Sequence, residues 1–358
     1  MPFSNWSLYA RKALSGMALS RDEALRVLKA LPAETAPLVA AAFEVRRTYF
    51  GNRVRLNYLL NAKSGLCSED CHYCSQSKIS IAPVEKYSWL SVDEILKMAE
   101  RAVAAHAGRF CMVASGRSPT DQELDKVVAS VKAVCAKYPK LEICCCLGLL
   151  ADGQAEQLKK AGVDAVNHNL NTSERYYGEI CESHAYADRV DTVEKVQKAG
   201  LSACSGALVG MGETEEDILD LAYALRELNV ESLPVNFLMP IPGTPLEGHY
   251  DLTPTRCLNV LCLFRFLNPK ASLRISGGRE IHLRSLQAQG LYVANSIFIG
   301  DYLTAKGQSV EADLQMIQDL GFEIEGDVGA DLVSARNGIE TGMPSRAGTR
   351  PAPTVQLK

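Results

Sequence analysis

The sequence predicts an α/β protein built as a (β/α)8 barrel of the TIM type. Three observations point there. Beyond about residue 50, short β-like runs alternate strictly with longer helical patterns, eight of each. Several of the helical runs stop at glycine, as in Lys160-Ala161-Gly162 and Lys198-Ala199-Gly200, the residue suited to the position just past a helix end. The chain has 358 residues, 47% of them hydrophobic, which fits one barrel of roughly 250 residues with extensions.

Residues 1–50 read as a helical extension. Ser20 followed by Glu23 forms a capping-box pattern that opens an amphipathic run. The β-like runs lie at 55–60, 109–115, 142–147, 165–169, 201–208, 232–237, 272–276 and 294–298. The helical patterns lie at 92–107, 121–138, 153–161, 188–199, 214–228, 254–266, 279–289 and 310–320. The barrel should occupy residues 51–325. Residues 326–358 form a C-terminal extension rich in Pro, Gly, Ser and charge, which predicts disorder.

The net charge is −4 and the pI about 5.9, so nothing suggests a basic stripe for nucleic acid to follow. No apolar run approaches the ~20 residues that span a bilayer, and the first residues lack a secretory apolar core, so a cytoplasmic protein away from membranes is expected. Twelve cysteines are many for such a chain. In a reducing compartment clustered cysteines bind metal or do chemistry more often than they pair. Cys135, Cys181, Cys257 and Cys262 fall in helical patterns and read as core.

The strongest local signal is Cys67-Ser-Glu-Asp-Cys71-His-Tyr-Cys74, directly after the first strand and therefore on the barrel face that carries chemistry. Three thiolates on one tight loop can hold three irons of a [4Fe–4S] cluster and leave the fourth open to a ligand; a structural cluster normally takes four. A zinc site completed by His72 or a distant residue is the alternative, though zinc favours CxxC pairs.

Strand parity supplies a second argument. Alternate residues face opposite sides of a strand. One side then carries Arg109, Cys111 and Ser115; Glu142, Cys144 and Cys146; Asn167, Asn169 and Asn171; Ser202 and Cys204; Asn236; and Arg274 with Ser276. The other side, as at Leu273 and Ile275, is apolar and suits helix packing. The polar side should point inward, where polar groups are costly unless satisfied. A lumen filled by a cofactor follows. Cys111, Cys144 and Cys204 come from three strands and can share a second metal centre beside Arg274, or be three unrelated buried thiols. Cys146 shares the face of Cys144, which leaves the ligand in that strand open.

The spacing CxxxCxxC with an aromatic before its last cysteine resembles that of the radical S-adenosylmethionine (SAM) superfamily. Further segments, among them RFCM (109–112), NHNLNTS (167–173), ACSGALVGMGE (203–213), VNFLMPIPGTPLEG (235–248), RISGGRE (274–280) and ANSIF (294–298), resemble the biotin synthases in particular, over most of residues 57–320. The resemblance implies conversion of dethiobiotin to biotin by sulfur insertion. It implies that Cys67, Cys71 and Cys74 hold a [4Fe–4S] cluster that cleaves SAM, and that Cys111, Cys144, Cys204 and Arg274 hold a [2Fe–2S] cluster that donates sulfur. It also implies that Tyr73 lies beside the adenine, Asn169 meets SAM and dethiobiotin, Asn171 the ribose and Asn236 the ureido ring. A reductant such as flavodoxin or ferredoxin and a homodimeric state belong to the same expectation. Arginine is almost always protonated and a poor ligand, so Arg274 enters through the resemblance alone. Three features depart from the family pattern. Asn171 stands where many members have aspartate, Cys144-Cys145-Cys146 is an unusual triplet, and the contacts to the substrate carboxylate are blurred, with Thr304 and Lys306 as candidates. Related radical enzymes such as hydrogenase maturases or methylornithine synthases are the runner-up reading; they would not need the Cys111/Cys144/Cys204/Arg274 set.

Overall fold

The computed structural model describes residues 5–326. The expectation of a disordered tail falls almost wholly on 327–358, outside the described residues. Three helices come first, α1 (Trp6–Leu14), α2 (Arg21–Leu28) and α3 (Thr35–Phe50). Ser20 caps α2 as its pattern implied: its hydroxyl accepts from Glu23 N and Glu23 returns the bond to Ser20 N.

The strands are β1 (Arg53–Lys63), β2 (Arg109–Ala114), β3 (Glu142–Cys146), β4 (Ala165–Asn167), β5 (Ser202–Cys204), β6 (Ala207–Val209), β7 (Ser232–Phe237), β8 (Ser272–Ile275), β9 (Ser296–Ile299) and the short β10 (Glu323–Ile324). All pairings between them are parallel, and β9 pairs back onto β1, which closes the barrel. β5 and β6 both pair with β7 and are two halves of one interrupted strand, so β1 to β9 fill eight positions. The interruption lies at Ser205-Gly206. A Cβ on Gly206 would sit 1.9 Å from Pro234 O, so only glycine lets the two backbones approach there. β10 adds to β1 outside the ring.

Helices α4 (Val92–Ala104), α5 (Asp121–Lys137), α6 (Gln154–Ala161), α7 (Tyr186–Lys198), α8 (Glu215–Glu227), α9 (Pro254–Leu267) and α12 (Val310–Asp319) match the periodic runs. The run expected as one helix at 279–289 is instead α10 (Arg279–His282), a 3-10 turn (Arg284–Leu286) and α11 (Gln287–Val293). Arg284 takes φ 51°, a left-handed conformation that no apolar periodicity signals.

Strand parity came out as expected. Phe110, Met112, Ile143, Cys145, Val166, Leu233, Leu273 and Ile275 join the main core with the helices. Cys111, Cys144 and Ala165 pack separately with Leu59 and Phe298 inside the barrel. Two buried arginines tie helices to strand ends. Arg46 donates to Ala294 O and Arg53 O, and Arg265 to Val293 O, Ala271 O and Asn295 Oδ1. Burial pulls their pKa values down, to about 10 for Arg46 and about 9 for Arg265. Among the described residues no helix is long and apolar enough to cross a membrane.

Candidate active site

A cavity of about 370 Å³ opens at the C-terminal ends of the strands. Its wall holds Cys67, Tyr73, Cys74, Cys146, Asn167, His168, Asn169, Asn171, Arg189, Asn236, Tyr302 and Thr304. The three-cysteine loop follows β1 and forms one side. Burial pushes the Cys67 thiol up and that of Cys74 up to about 11, so both are protonated at neutral pH until something positive binds them. Cys71 is buried behind this wall, its Sγ 3.8 Å from Cys181 Sγ. The carboxylate of Glu69 braces the loop, accepting from Ser183 Oγ at 2.8 Å and Arg117 Nη1 at 3.2 Å and meeting His184 Nδ1 at 2.5 Å. His72 lies half-buried and donates its N–H to Ile180 O.

Beneath the cavity, register aligns the second set of thiols. Cys111 pairs with Cys144 across β2 and β3, and Asn167 with Cys204 across β4 and β5. Cys144 lies beside both Cys111 and Cys204. Asn167 Nδ2 lies 3.3 Å and Arg274 Nη1 3.8 Å from Cys204 Sγ. Contact with Cys144 lowers the Cys111 thiol, aided by Arg274 and Arg109. Contact with Cys111 and then burial push Cys144 up, and contact with Cys144 does the same to Cys204. The barrel thus brings together all four residues that strand parity singled out. Cys146, on the same strand face as Cys144, occupies a different place: it lines the cavity and lies within electrostatic reach of both Cys204 and Cys74.

Two orphaned polar atoms show that this interior is made for something polar. Arg109 is 5% exposed; it pairs with Glu142 through Nε at 2.9 Å, yet its Nη1 has no partner, beside Cys144, Cys204 and Cys111. His168 Nε2 is likewise unpartnered, and His168 lines the cavity. Burial holds His168 neutral. A sulfide-containing centre would accept from Arg109 and draw three thiolates from the trio. The residues therefore fit such a group.

The asparagines all reach the cavity. Asn171 Nδ2 donates to Tyr73 Oη at 2.6 Å, which fixes the aromatic of the cysteine loop against β4. Asn169 Oδ1 accepts from Asn167 Nδ2, and its backbone O accepts from Arg189 Nη1 at 2.8 Å. Asn236 bridges backbone, donating to Ala207 O and accepting from Gly277 N. Thr304 lines the cavity with its hydroxyl 2.7 Å from Ser75 Oγ, whereas Lys306 is exposed and away from it. Of the run 206–213, Leu208 lines the cavity. Ala207–Val209 form β6, and the turn after it is held by Glu213, which accepts from Gly210 N and Met211 N at 2.7 Å each.

Two residues escaped the sequence reading. Arg189, buried and cavity-lining, donates to Asn169 O and to Tyr177 Oη. Its signal was present: Arg189, Thr192, Val193 and Val196 form the buried stripe of α7, so an arginine occupies a core position. Cys181, expected as core in a helix, is buried but lies outside any helix, against Cys71 and His184.

Comparison with known proteins agrees with this layout. The profile of the Radical SAM superfamily matches residues 63–225, and that of the Biotin and Thiamin Synthesis associated domain matches 234–323. Biotin synthase of Renibacterium salmoninarum is 56% identical over 87% of this chain and 91% of its own length. That of Saccharopolyspora erythraea is 52% identical over 96% of this chain and 97% of its own. Among solved structures, a methylornithine synthase superposes with TM-score 0.78 at 20% identity, over 91% of this chain and 99% of that one, a likeness of fold. With identity above half along nearly the whole of two such relatives, and a radical SAM segment that holds the CxxxCxxC loop, the chain belongs to the biotin synthase family of radical SAM enzymes.

Proposed function

We propose that this enzyme converts dethiobiotin to biotin in the cavity between its two groups of thiols. One observation carries the reading: the cavity has Cys67 and Cys74 on its wall and the Cys111/Cys144/Cys204 trio beneath it, with Cys146 between. Cys67, Cys71 and Cys74 are the candidate ligands of a [4Fe–4S] cluster, and Cys111, Cys144, Cys204 and Arg274 those of a [2Fe–2S] cluster. When bound, these groups supply reductive cleavage of SAM and the sulfur for insertion.

The protein's own residues do the remaining work. Asn171, held against Tyr73, offers its amide oxygen to ribose hydroxyls. Asn169 and Asn236 present amides that donate and accept, as a ureido ring requires. Neither Asn236 nor Asn169 can swing freely: the Asn236 amide is held by Ala207 O and Gly277 N, and the Asn169 amide oxygen by Asn167 Nδ2, with Arg189 Nη1 on its backbone O. That rigidity supports positioning of an unactivated carbon. Arg274 and Arg109 offset the negative charge of the trio. A flavodoxin- or ferredoxin-type reductant supplies electrons, and the enzyme works as a homodimer. Residues 1–50 and 51–325 are proposed as extension and catalytic barrel.

Anaerobic incubation with dethiobiotin, SAM and a reductant tests the reading. Biotin and 5′-deoxyadenosine should appear together. Release of 5′-deoxyadenosine with another product from a different substrate, and no biotin, would refute it.

A further inference from the structure

Against Cys71 lie two side chains, Cys181 and His184, that the proposed reaction does not use. Cys181 Sγ is 3.8 Å from Cys71 Sγ and 3.3 Å from His184 Nδ1. The ligand atoms of these three residues all lie within 4.8 Å of one another, and all three residues are buried. Two sulfurs on one tetrahedral zinc, each at about 2.3 Å, stand ~3.8 Å apart, the separation seen here. Two oxygens lie in reach of a fourth position: Asp70 Oδ1, 3.3 Å from Cys181 Sγ, and Glu69 Oε2, 2.5 Å from His184 Nδ1. The surroundings are organised as metal sites usually are. Tyr177 Oη sits 2.9 Å from His184 Nε2 and fixes the ring from its far side, and Arg189 holds that hydroxyl in turn. Asp70 is anchored by the backbone N–H groups of Glu182 and Ser183.

We propose that Cys71, Cys181 and His184, completed by Asp70 or Glu69, form a mononuclear site for a tetrahedral divalent cation of the zinc class. The site uses Cys71, one of the three loop cysteines, so the single ion and a cluster on that loop exclude each other. Binding takes the thiol protons of Cys71 and Cys181 to solvent and involves no change of oxidation state. The chain without clusters thereby has a closed-shell resting state, in which a loop thiol is shielded until iron and sulfide displace the ion.

Cobalt(II) titration of the full chain, isolated anaerobically without iron–sulfur reconstitution, tests this. One tight cobalt with thiolate charge-transfer absorption and tetrahedral ligand-field bands is expected. Cys181→Ser and His184→Gln should each weaken that binding by about 10-fold or more, while Cys67→Ser and Cys144→Ser leave it in place. Circular dichroism verifies folding, and if His184→Gln does not fold, Cys181→Ser decides. Zinc preloading should slow iron uptake by the wild type but not by Cys181→Ser. Cobalt binding unchanged in Cys181→Ser, or lost equally in Cys67→Ser, would overturn the proposal. The titration involves neither SAM nor dethiobiotin, so its failure leaves the reading of the reaction untouched, and failure of the biotin assay leaves this site untouched.

Discussion

Arg274 Nη1 stands 3.8 Å from Cys204 Sγ, reaching from β8 to β5 inside the barrel. The guanidinium is held there by Ser232 Oγ at 3.2 Å and Ser296 Oγ at 3.4 Å, with its plane over Phe298. Among the described residues no carboxylate pairs with it, so its charge is directed at the thiols. Arg274→Met, which removes a proposed ligand, should keep the fold but loosen the auxiliary centre by at least the roughly 10-fold that even outer partners of metal sites contribute. Iron and sulfide counts after desalting read this; retention equal to wild type contradicts it.

The three consecutive cysteines separate by location. Cys144→Ser should lose the auxiliary iron, because its thiol lies beside both Cys111 and Cys204. Cys145→Ala should keep it at a modest cost in stability, since that side chain packs in the outer core. Cys146→Ser should also keep the iron, while wild-type Cys146 reacts with a small alkylating reagent that enters the cavity. Mass spectrometry of the labelled peptide and iron analysis check the three together.

Asn171 adopts φ 70°, a conformation tolerated by Asn, Asp and Gly. Asn171→Ala is expected to lose about 1 kcal/mol of stability and to bind SAM more weakly. Asn171→Gly should recover the stability but not the binding, and Asn171→Asp should recover both. Urea unfolding paired with SAM titration distinguishes backbone strain from lost contact.

Asp217 makes a buried cap for α8. Its carboxylate accepts from Ser173 Oγ at 2.6 Å, Arg175 Nε at 2.9 Å and Thr214 Oγ1 at 2.6 Å. Burial alone would raise its pKa, but these donors hold it well below the usual range. A depressed carboxylate stabilises fully above the unfolded pKa of about 4 and loses that contribution as pH falls through the folded value. Asp217→Asn should therefore cost about 2 kcal/mol at neutral pH, and the gap should narrow only below about pH 4. Thermal melts across that range measure it.

Much of this architecture was legible before the structure. Alternation of periods located every barrel strand, and parity put Cys111, Cys144 and Cys204 on the inner face, because a buried parallel strand has one side for helices and one for the lumen. What stayed hidden depends on folding at a distance. Parity could not tell Cys144 from Cys146, since both point inward and only depth in the barrel separates them. Cys181 reads like filler until the loop after β4 brings it against Cys71, a residue 110 positions earlier. Arg189 was masked by the helix it belongs to, and the broken helix at Arg284 by a single left-handed residue.

In the proposed reaction the trio serves sulfur transfer separately from SAM cleavage at the loop. Product analysis of Cys204→Ala under anaerobic single-turnover conditions tests this directly. 5′-Deoxyadenosine should form at near wild-type yield with no biotin; biotin at wild-type yield from that variant would contradict the assignment.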